Sequence, residues 1–218
     1  MTPVTTEKEF VCSVCGTPST HTILAVNEPP QGVPDLDLRP DLPHRNYLRY
    51  WVMECPCCGY CNSMLDVPAD FSRDYVESDE YKNANGLSGQ NQTADRMIRK
   101  ALGCVKNHSY KEAVQSYLYA SWLFDDDNND ASASACRRAA VRIFDEHPAA
   151  FRGDDNFKVL MADMIRRSGD FQRVVREYEG KAFRSQLMTA IAFFEVQLAS
   201  REDKAAHRAD EVPGVTAK

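Results

Sequence analysis

Two periods of hydrophobic and polar positions divide the chain. Up to about residue 68 apolar side chains alternate with polar ones in short runs, and from Asp70 onward they return every three to four residues. The first regime predicts short strands at 9–14 and 19–26, with Ile23 and Leu24 supplying apolar contacts. It predicts a third at 47–54, where Tyr47, Tyr50, Trp51 and Val52 bring aromatic and β-branched character. The intervening 27–45 holds Pro29, Pro30, Pro34, Pro40 and Pro43 with Asp35, Asp37 and Asp41, and reads as a loop of solvated charge.

The second regime predicts a helix over 72–83, capped by Asp70 and packing through Tyr75, Val76 and Tyr81. Gly86 and Gly89 break the pattern over 84–92. Helices are then expected at 93–107, 110–124, 131–145, 156–167, 171–179 and 181–200. Residues 203–218 carry no apolar stripe and read as a disordered tail. The expected fold is mainly α, organised as a metal-binding β unit at 1–68, a helical domain at 69–202 and the tail.

Two of the helix joints share a pattern. Tyr110, Ala113 and Tyr117 have the spacing of Phe171, Val174 and Tyr178, and Ala101 and Ala162 each stand nine positions before the aromatic. Small residues that let helices approach, with an aromatic filling the gap, predict tetratricopeptide-like antiparallel helical hairpins. Lys181 departs from the pattern where alanine is wanted, and the hairpin between the two copies shows no motif. An ordinary antiparallel bundle is the competing architecture.

Eight cysteines in a chain of 218 residues change the picture for the first regime. Cys12 and Cys15, and again Cys55 and Cys58, form Cys-x-x-Cys pairs followed directly by Gly16 and Gly59. In such a knuckle two sulfurs clasp one metal ion and glycine takes the left-handed turn behind them, so two knuckles supply a closed four-thiolate zinc site. Cys58 with Cys61, Cys57, His21 and His44 remain alternative ligands, whereas Cys104 and Cys136 lie singly in helical sequence and read as core. The start of the chain has no signal-peptide pattern, so a reducing, cytoplasmic setting is expected, in which this spacing favours metal over disulfides. Cys55-Pro-Cys-Cys58 resembles a thiol-redox motif, but 59–63 is not a helix start and the Cys12 pair would be left unexplained.

Charge narrows the partners. The formal net charge is −6, and it is uneven: 6 Lys and Arg stand against 13 Asp and Glu through Gln90, and 20 against 19 thereafter. So acidic a head repels phosphate, which argues against nucleic acid. The most apolar stretch, 187–194, is too short to cross a bilayer. The run from Asp125 to Asp130 is no calcium loop, because its sixth and twelfth positions are Asp130 and Cys136. It reads as an interhelix turn in which Asn129 or Asp130 caps the next helix and Arg137 or Arg138 pairs with the carboxylates, with Trp122 in the core.

Taken together, Phe10-Val-Cys-Ser-Val-Cys-Gly16, Asp35-Leu-Asp-Leu-Arg-Pro40, Cys55-Pro-Cys-Cys-Gly-Tyr60 and the segment 117–138 with Ala120-Ser-Trp-Leu-Phe-Asp-Asp126 resemble the DUF2225 family over about the first two thirds of the chain. That resemblance implies a zinc-ribbon-like head, tetratricopeptide-like helices and metal ligation by Cys12, Cys15, Cys55 and Cys58. It implies no biochemical activity, since none is established for the family.

No phosphate-cradling glycine loop, nucleophile elbow or His-Glu-x-x-His helix is present, and a four-thiolate metal has no open position. The expectation is a non-enzymatic protein whose helices bind a protein or peptide. The tetratricopeptide alignment places Lys106, Asp163, Arg166 and Arg167 on its concave face, suited to a carboxylate-bearing ligand. The contrasting expectation is a thiol enzyme or redox sensor using Cys57 or Cys61 beside the metal.

Overall fold

The computed structural model describes residues 3–26, 32–87 and 91–214. The fold is mainly helical, with a small two-stranded sheet near the amino terminus. Strands β1 (Thr5–Val11) and β2 (Pro18–Leu24) pair antiparallel with Phe10 opposite Ser19, and residues 12–17 turn between them. Phe10 is the strand residue that enters the core; the others are exposed or half-buried. Burying one phenylalanine is worth about 2–3 kcal/mol, too little to hold a ribbon by itself.

The strand expected at 47–54 is instead a short helix α1 (Leu42–Arg45), a 3-10 turn (Leu48–Tyr50) and a two-residue strand β3 (Met53–Glu54) paired with β4 (Cys61–Asn62). The buried positions explain the difference. Tyr47, Leu48, Val52 and Met53 go inside, a spacing of turns rather than of alternation.

The helix expected at 72–83 is cut in two, α2 (Arg73–Glu77) and α3 (Asp79–Lys82). Ser78 is extended between them; its hydroxyl donates to the Tyr75 carbonyl at 2.7 Å and accepts from the Tyr81 amide at 3.3 Å. A serine that bonds its own backbone competes with the helix. The Asp70 side chain is not the cap; Ser72 precedes α2 without a side-chain bond.

The remaining helices fall close to expectation: α4 (Gln92–Lys106), α5 (Tyr110–Asp126), α6 (Asp130–Glu146), α7 (Asp155–Arg167), α8 (Phe171–Tyr178) and α9 (Gln186–Ala199). Three joints close in one way. After α4 the Ser109 amide donates to the Cys104 carbonyl, after α5 the Asn129 amide to Phe124, and after α7 the Asp170 amide to Ile165, at 2.8, 2.8 and 3.1 Å. In each, the residue just before that amide has positive φ: His108, Asn128 and Gly169. Such closures satisfy the last carbonyls and fold the next helix back on the previous one. Asn91, Asn129, Asp154 and Asp170 then cap the following helices.

Helices α4 to α7 pack in succession, and α9 packs on both α7 and α8. Ala101, Ala113, Tyr117, Ala162, Val174 and Tyr178 are all buried, as the repeated pattern requires, although any antiparallel helical packing would bury them too. The main core does not stop near residue 68. Phe10, Leu48, Val52, Tyr60 and Leu65 of the head share one cluster with Met97, Ile98 and the later helices.

The expected tail is corrected as well: residues 203–214 are folded onto the molecule. Asp35 bridges Arg208, the Leu36 amide donates to the His207 carbonyl at 2.8 Å, and the Ala209 amide to Pro34 at 2.9 Å. Leu36, Leu198 and Val212 form a small second cluster beneath. Its apolar content is too sparse to read as a stripe; residues 215–218 lie outside those described.

Candidate metal centre and a buried ionic cluster

Two turns of identical hydrogen bonding build the candidate metal centre. In the first the Cys12 amide donates to the Thr17 carbonyl at 3.0 Å and the Gly16 amide to Cys12 at 2.8 Å. In the second the Cys55 amide donates to Tyr60 at 2.8 Å and the Gly59 amide to Cys55 at 2.9 Å. Gly16 and Gly59 have φ of 74° and 81°, where a Cβ would meet the following carbonyl. The Ser13 amide donates to Leu65 across to the segment after the second turn.

The turns face each other with four sulfurs inward. Cys12 and Cys58 Sγ are 3.8 Å apart, Cys15 and Cys55 Sγ 3.6 Å, and all four lie within 4.8 Å of one another. A tetrahedron with metal–sulfur bonds of about 2.3 Å has edges of about 3.8 Å, so the donors are spaced to hold one metal ion. Cys12, Cys55 and Cys58 are buried and Cys15 half-exposed, which leaves little room for a further ligand.

Against the upward push of desolvation, hydrogen bonds with Thr17, Cys55 and Cys58 bring Cys15 down to about 6, while burial raises Cys12 and Cys58. A cation entering the cluster displaces the remaining protons. Four thiolates on a divalent ion leave two negative charges, and α4 sets two guanidiniums close by. Arg99 Nη1 donates to Glu54 Oε1 at 2.7 Å and to the Gly59 carbonyl at 3.4 Å, and Arg96 Nε donates to Glu54 Oε2 at 2.9 Å. Although burial opposes it, the two arginines hold the Glu54 carboxyl below its usual range.

The alternative ligands fall outside the cluster. Cys57 is exposed. Cys61 is buried, its amide donating to the Tyr81 hydroxyl and its thiol pushed up to about 12 by burial. Burial does the same to Cys104 and Cys136. His21 is bonded to Ser19 and His44 to Asp41.

The residues expected on a partner-binding face are placed differently. Lys106 is exposed at the end of α4 with Nζ 4.7 Å from the Tyr75 ring. Asp163, Arg166 and Arg167 are buried instead, because each has a carboxylate or guanidinium partner inside. Arg166 donates to Asp163 Oδ1 at 2.9 Å, to Glu195 Oε2 at 2.5 Å, and through Nη1 to the carbonyls of Asp203 and Ala205 at 2.8 and 2.9 Å. Arg167 donates to Asp37 Oδ2 at 2.9 Å and Asp125 Oδ2 at 2.8 Å.

Sequence reasoning missed Asp37. Its side chain is 0% exposed and also accepts from Trp122 Nε1 at 2.8 Å and from the Arg39 amide at 3.1 Å. Asp125, the first carboxylate of the acidic run, accepts from both terminal nitrogens of Arg137 at 3.2 and 2.5 Å. Desolvation notwithstanding, Arg137, Arg167 and Arg39 hold it ionised below its ordinary range. Asparagine capping by Asn129 and pairing by Arg137 follow the sequence reading, but inside the protein rather than on its surface.

Among the described residues no helix is long and apolar enough to cross a membrane. No family model matches the chain, and neither a characterised protein nor a solved structure shows significant similarity to it.

Proposed function

We propose that the protein is a non-enzymatic, zinc-stapled scaffold whose helical part mediates protein–protein interaction. In this reading residues 1–68 are a zinc-ribbon-like head, the helices stack as tetratricopeptide-like hairpins, and the resemblance to the DUF2225 family is one of descent. One observation carries it: two hydrogen-bonded turns of the same form bring Cys12, Cys15, Cys55 and Cys58 within 4.8 Å.

The donor set favours zinc. Four thiolates suit zinc or an iron–sulfur cluster, and a closed, mostly buried set of four suits a structural ion with no position for substrate. The ion supplies folding energy; the chain's own atoms do the rest. The glycine turns aim the sulfurs, and Arg96 and Arg99 offset the charge of the loaded site. Cys61, three residues beyond Cys58, is buried and its thiol held protonated by desolvation, which disfavours it as a nucleophile, leaving the exposed Cys57 as the thiol for alkylation to probe. A reducing, cytoplasmic compartment fits thiols kept free for metal.

Elemental mass spectrometry of protein purified without added metal tests the reading, with the Cys55→Ser, Cys58→Ser variant beside the parent. About one zinc per chain, lost in the variant, is the expected outcome. Iron with visible colour, or no metal together with rapid alkylation of a single thiol, would sink it in favour of thiol or cluster chemistry.

A further inference from the structure

Beside the buried ionic cluster lies a solvent-accessible cleft of about 350 Å³ between the start of α6, the end of α7 and the strap at 204–206. Four cationic side chains line it, Arg39, Arg137, Arg167 and Lys204, against two carboxylates, Asp125 and Asp130. The charge behind the lining narrows that balance: Asp37 backs Arg167, and Asp35 and Asp126 face Arg39. Asp125 is already engaged by Arg137 and Arg167, and Arg39 Nη1 stands 3.5 Å from it. Asp130 is exposed at the rim. Lys204 is exposed and has no carboxylate partner among the described residues.

The guanidiniums are also fixed in advance. Arg137 is 2% exposed and Arg167 7%, each locked to Asp125, with Asp37 holding Arg167 from behind. Ordering a long cationic side chain is a main cost of binding an anion, and here it is met during folding. Ser134, on the wall between them, makes only a 3.5 Å contact to the Arg167 carbonyl, so its hydroxyl is free to turn toward a guest.

We propose that this cleft binds a phosphate-type dianion, held by Arg137, Arg167 and Lys204 with Ser134 as a neutral donor. Among the described residues the Nε of Arg137 and of Arg167 is buried without a partner, so each guanidinium keeps a donor for a phosphate oxygen, and Lys204 adds a positive charge with no carboxylate of its own. The proposal gives the ligand chemistry of the helical scaffold described above, yet needs neither a protein partner nor the metal.

Lys204 and Asp130 are exposed, so substituting them leaves the core intact and makes the test directional. Inorganic phosphate and phosphoserine are titrated calorimetrically at constant ionic strength in chloride, with acetate as the monoanion control, into the parent, Lys204→Glu and Asp130→Asn. Saturable phosphate binding is expected, weakened about tenfold by Lys204→Glu and strengthened several-fold by Asp130→Asn, acetate binding being weaker throughout. Amide resonances of Ser134 and of 204–206 move with the titration. Phosphoserine binding as tightly as inorganic phosphate points to an esterified group as ligand; much weaker binding points to the free ion. Heats no different from those of chloride, or one affinity shared by all three proteins, would show a hydrated gap in the ion network and overturn the proposal. Failure here leaves the metal content of the protein untouched.

Discussion

Asp37 is a carboxylate without exposure that satisfies an indole, a guanidinium and a backbone amide at once. Removing it leaves the nearly buried Arg167 charged with one of its two carboxylate partners gone. Breaking a buried pair from one side costs about 3–5 kcal/mol, mostly the penalty of the charge left behind. Asp37→Ala is therefore expected to lose stability of that order in urea denaturation. Asp41→Ala, whose carboxylate is 47% exposed beside His44, changes it by less than about 0.5 kcal/mol. Equal effects would mean that the cluster contributes nothing beyond solvated charge. The same residue shows where sequence reading ends. Each half of the cysteine cluster announces itself through local spacing and a following glycine, because each turn is completed within five residues and the two turns repeat one pattern. Asp37 finds Trp122 and Arg167 at separations of 85 and 130 residues, which no periodicity encodes. Its Pro and Asp neighbours looked like any hydrated loop.

Between α7 and α9 the elements meet through Arg166 and two acids, Asp163 and Glu195, all buried. Asp163 Oδ2 and Glu195 Oε1 are buried and have no hydrogen-bond partner among the described residues. One guanidinium cannot neutralise two carboxylates out of water, so the pair keeps one proton. Desolvation and the neighbouring Asp163 charge push Glu195 up to about 8, and desolvation with the Asp37 charge raises Asp163. Arg167 and Arg137 act in the opposite direction on Asp163 without reversing it. An acid with its folded pKa raised stabilises the fold most below its unfolded pKa, and the contribution disappears as pH climbs through the folded value. Stability should thus fall between about pH 5 and 9, by on the order of 3 kcal/mol from this pair, even though Asp125 and Glu54, held low, lose their contribution only toward acid pH. Glu195→Gln keeps the side chain's length and can still accept from Arg166, without the titrating proton. Urea midpoints of the variant should be flat across that interval while the parent's decline; a parallel decline would remove the pair from the account. The helices bearing these residues were legible from period and caps. The junction was not, because it depends on which helix faces meet.

At the scale of the whole molecule, the boundary that the change of period places near residue 68 is not a boundary of the core. Phe10, Leu48, Val52, Tyr60 and Leu65 approach from one side and Met97, Ile98 and Ala101 from the other, and all join one cluster. Trp51 stands at this junction, edge-on to the Tyr119 ring at 5.2 Å. Each large apolar side chain withdrawn from such a core costs about 1.5–3 kcal/mol, so exposing the inner face of α4 by melting the head would remove a substantial share of a stability of ordinary size. The exposed ribbon of β1 and β2, with Phe10 alone buried, cannot make up that loss unless the four cysteines hold a metal ion as proposed. Chelation is therefore expected to lower the thermal midpoint of the entire chain in a single transition, with tryptophan fluorescence and far-ultraviolet circular dichroism changing together. A head folding as its own domain would behave otherwise: fluorescence from Trp51 would change on chelation while the helical signal and its midpoint stayed put. The coincidence of the two curves decides whether the metal staples a head or the whole fold. Because Trp122 in α5 also contributes to the fluorescence, a Trp122→Phe variant, which stays aromatic but gives up the bond to Asp37 and part of the buried ring, isolates the signal of the junction, its own midpoint before chelation serving as the reference.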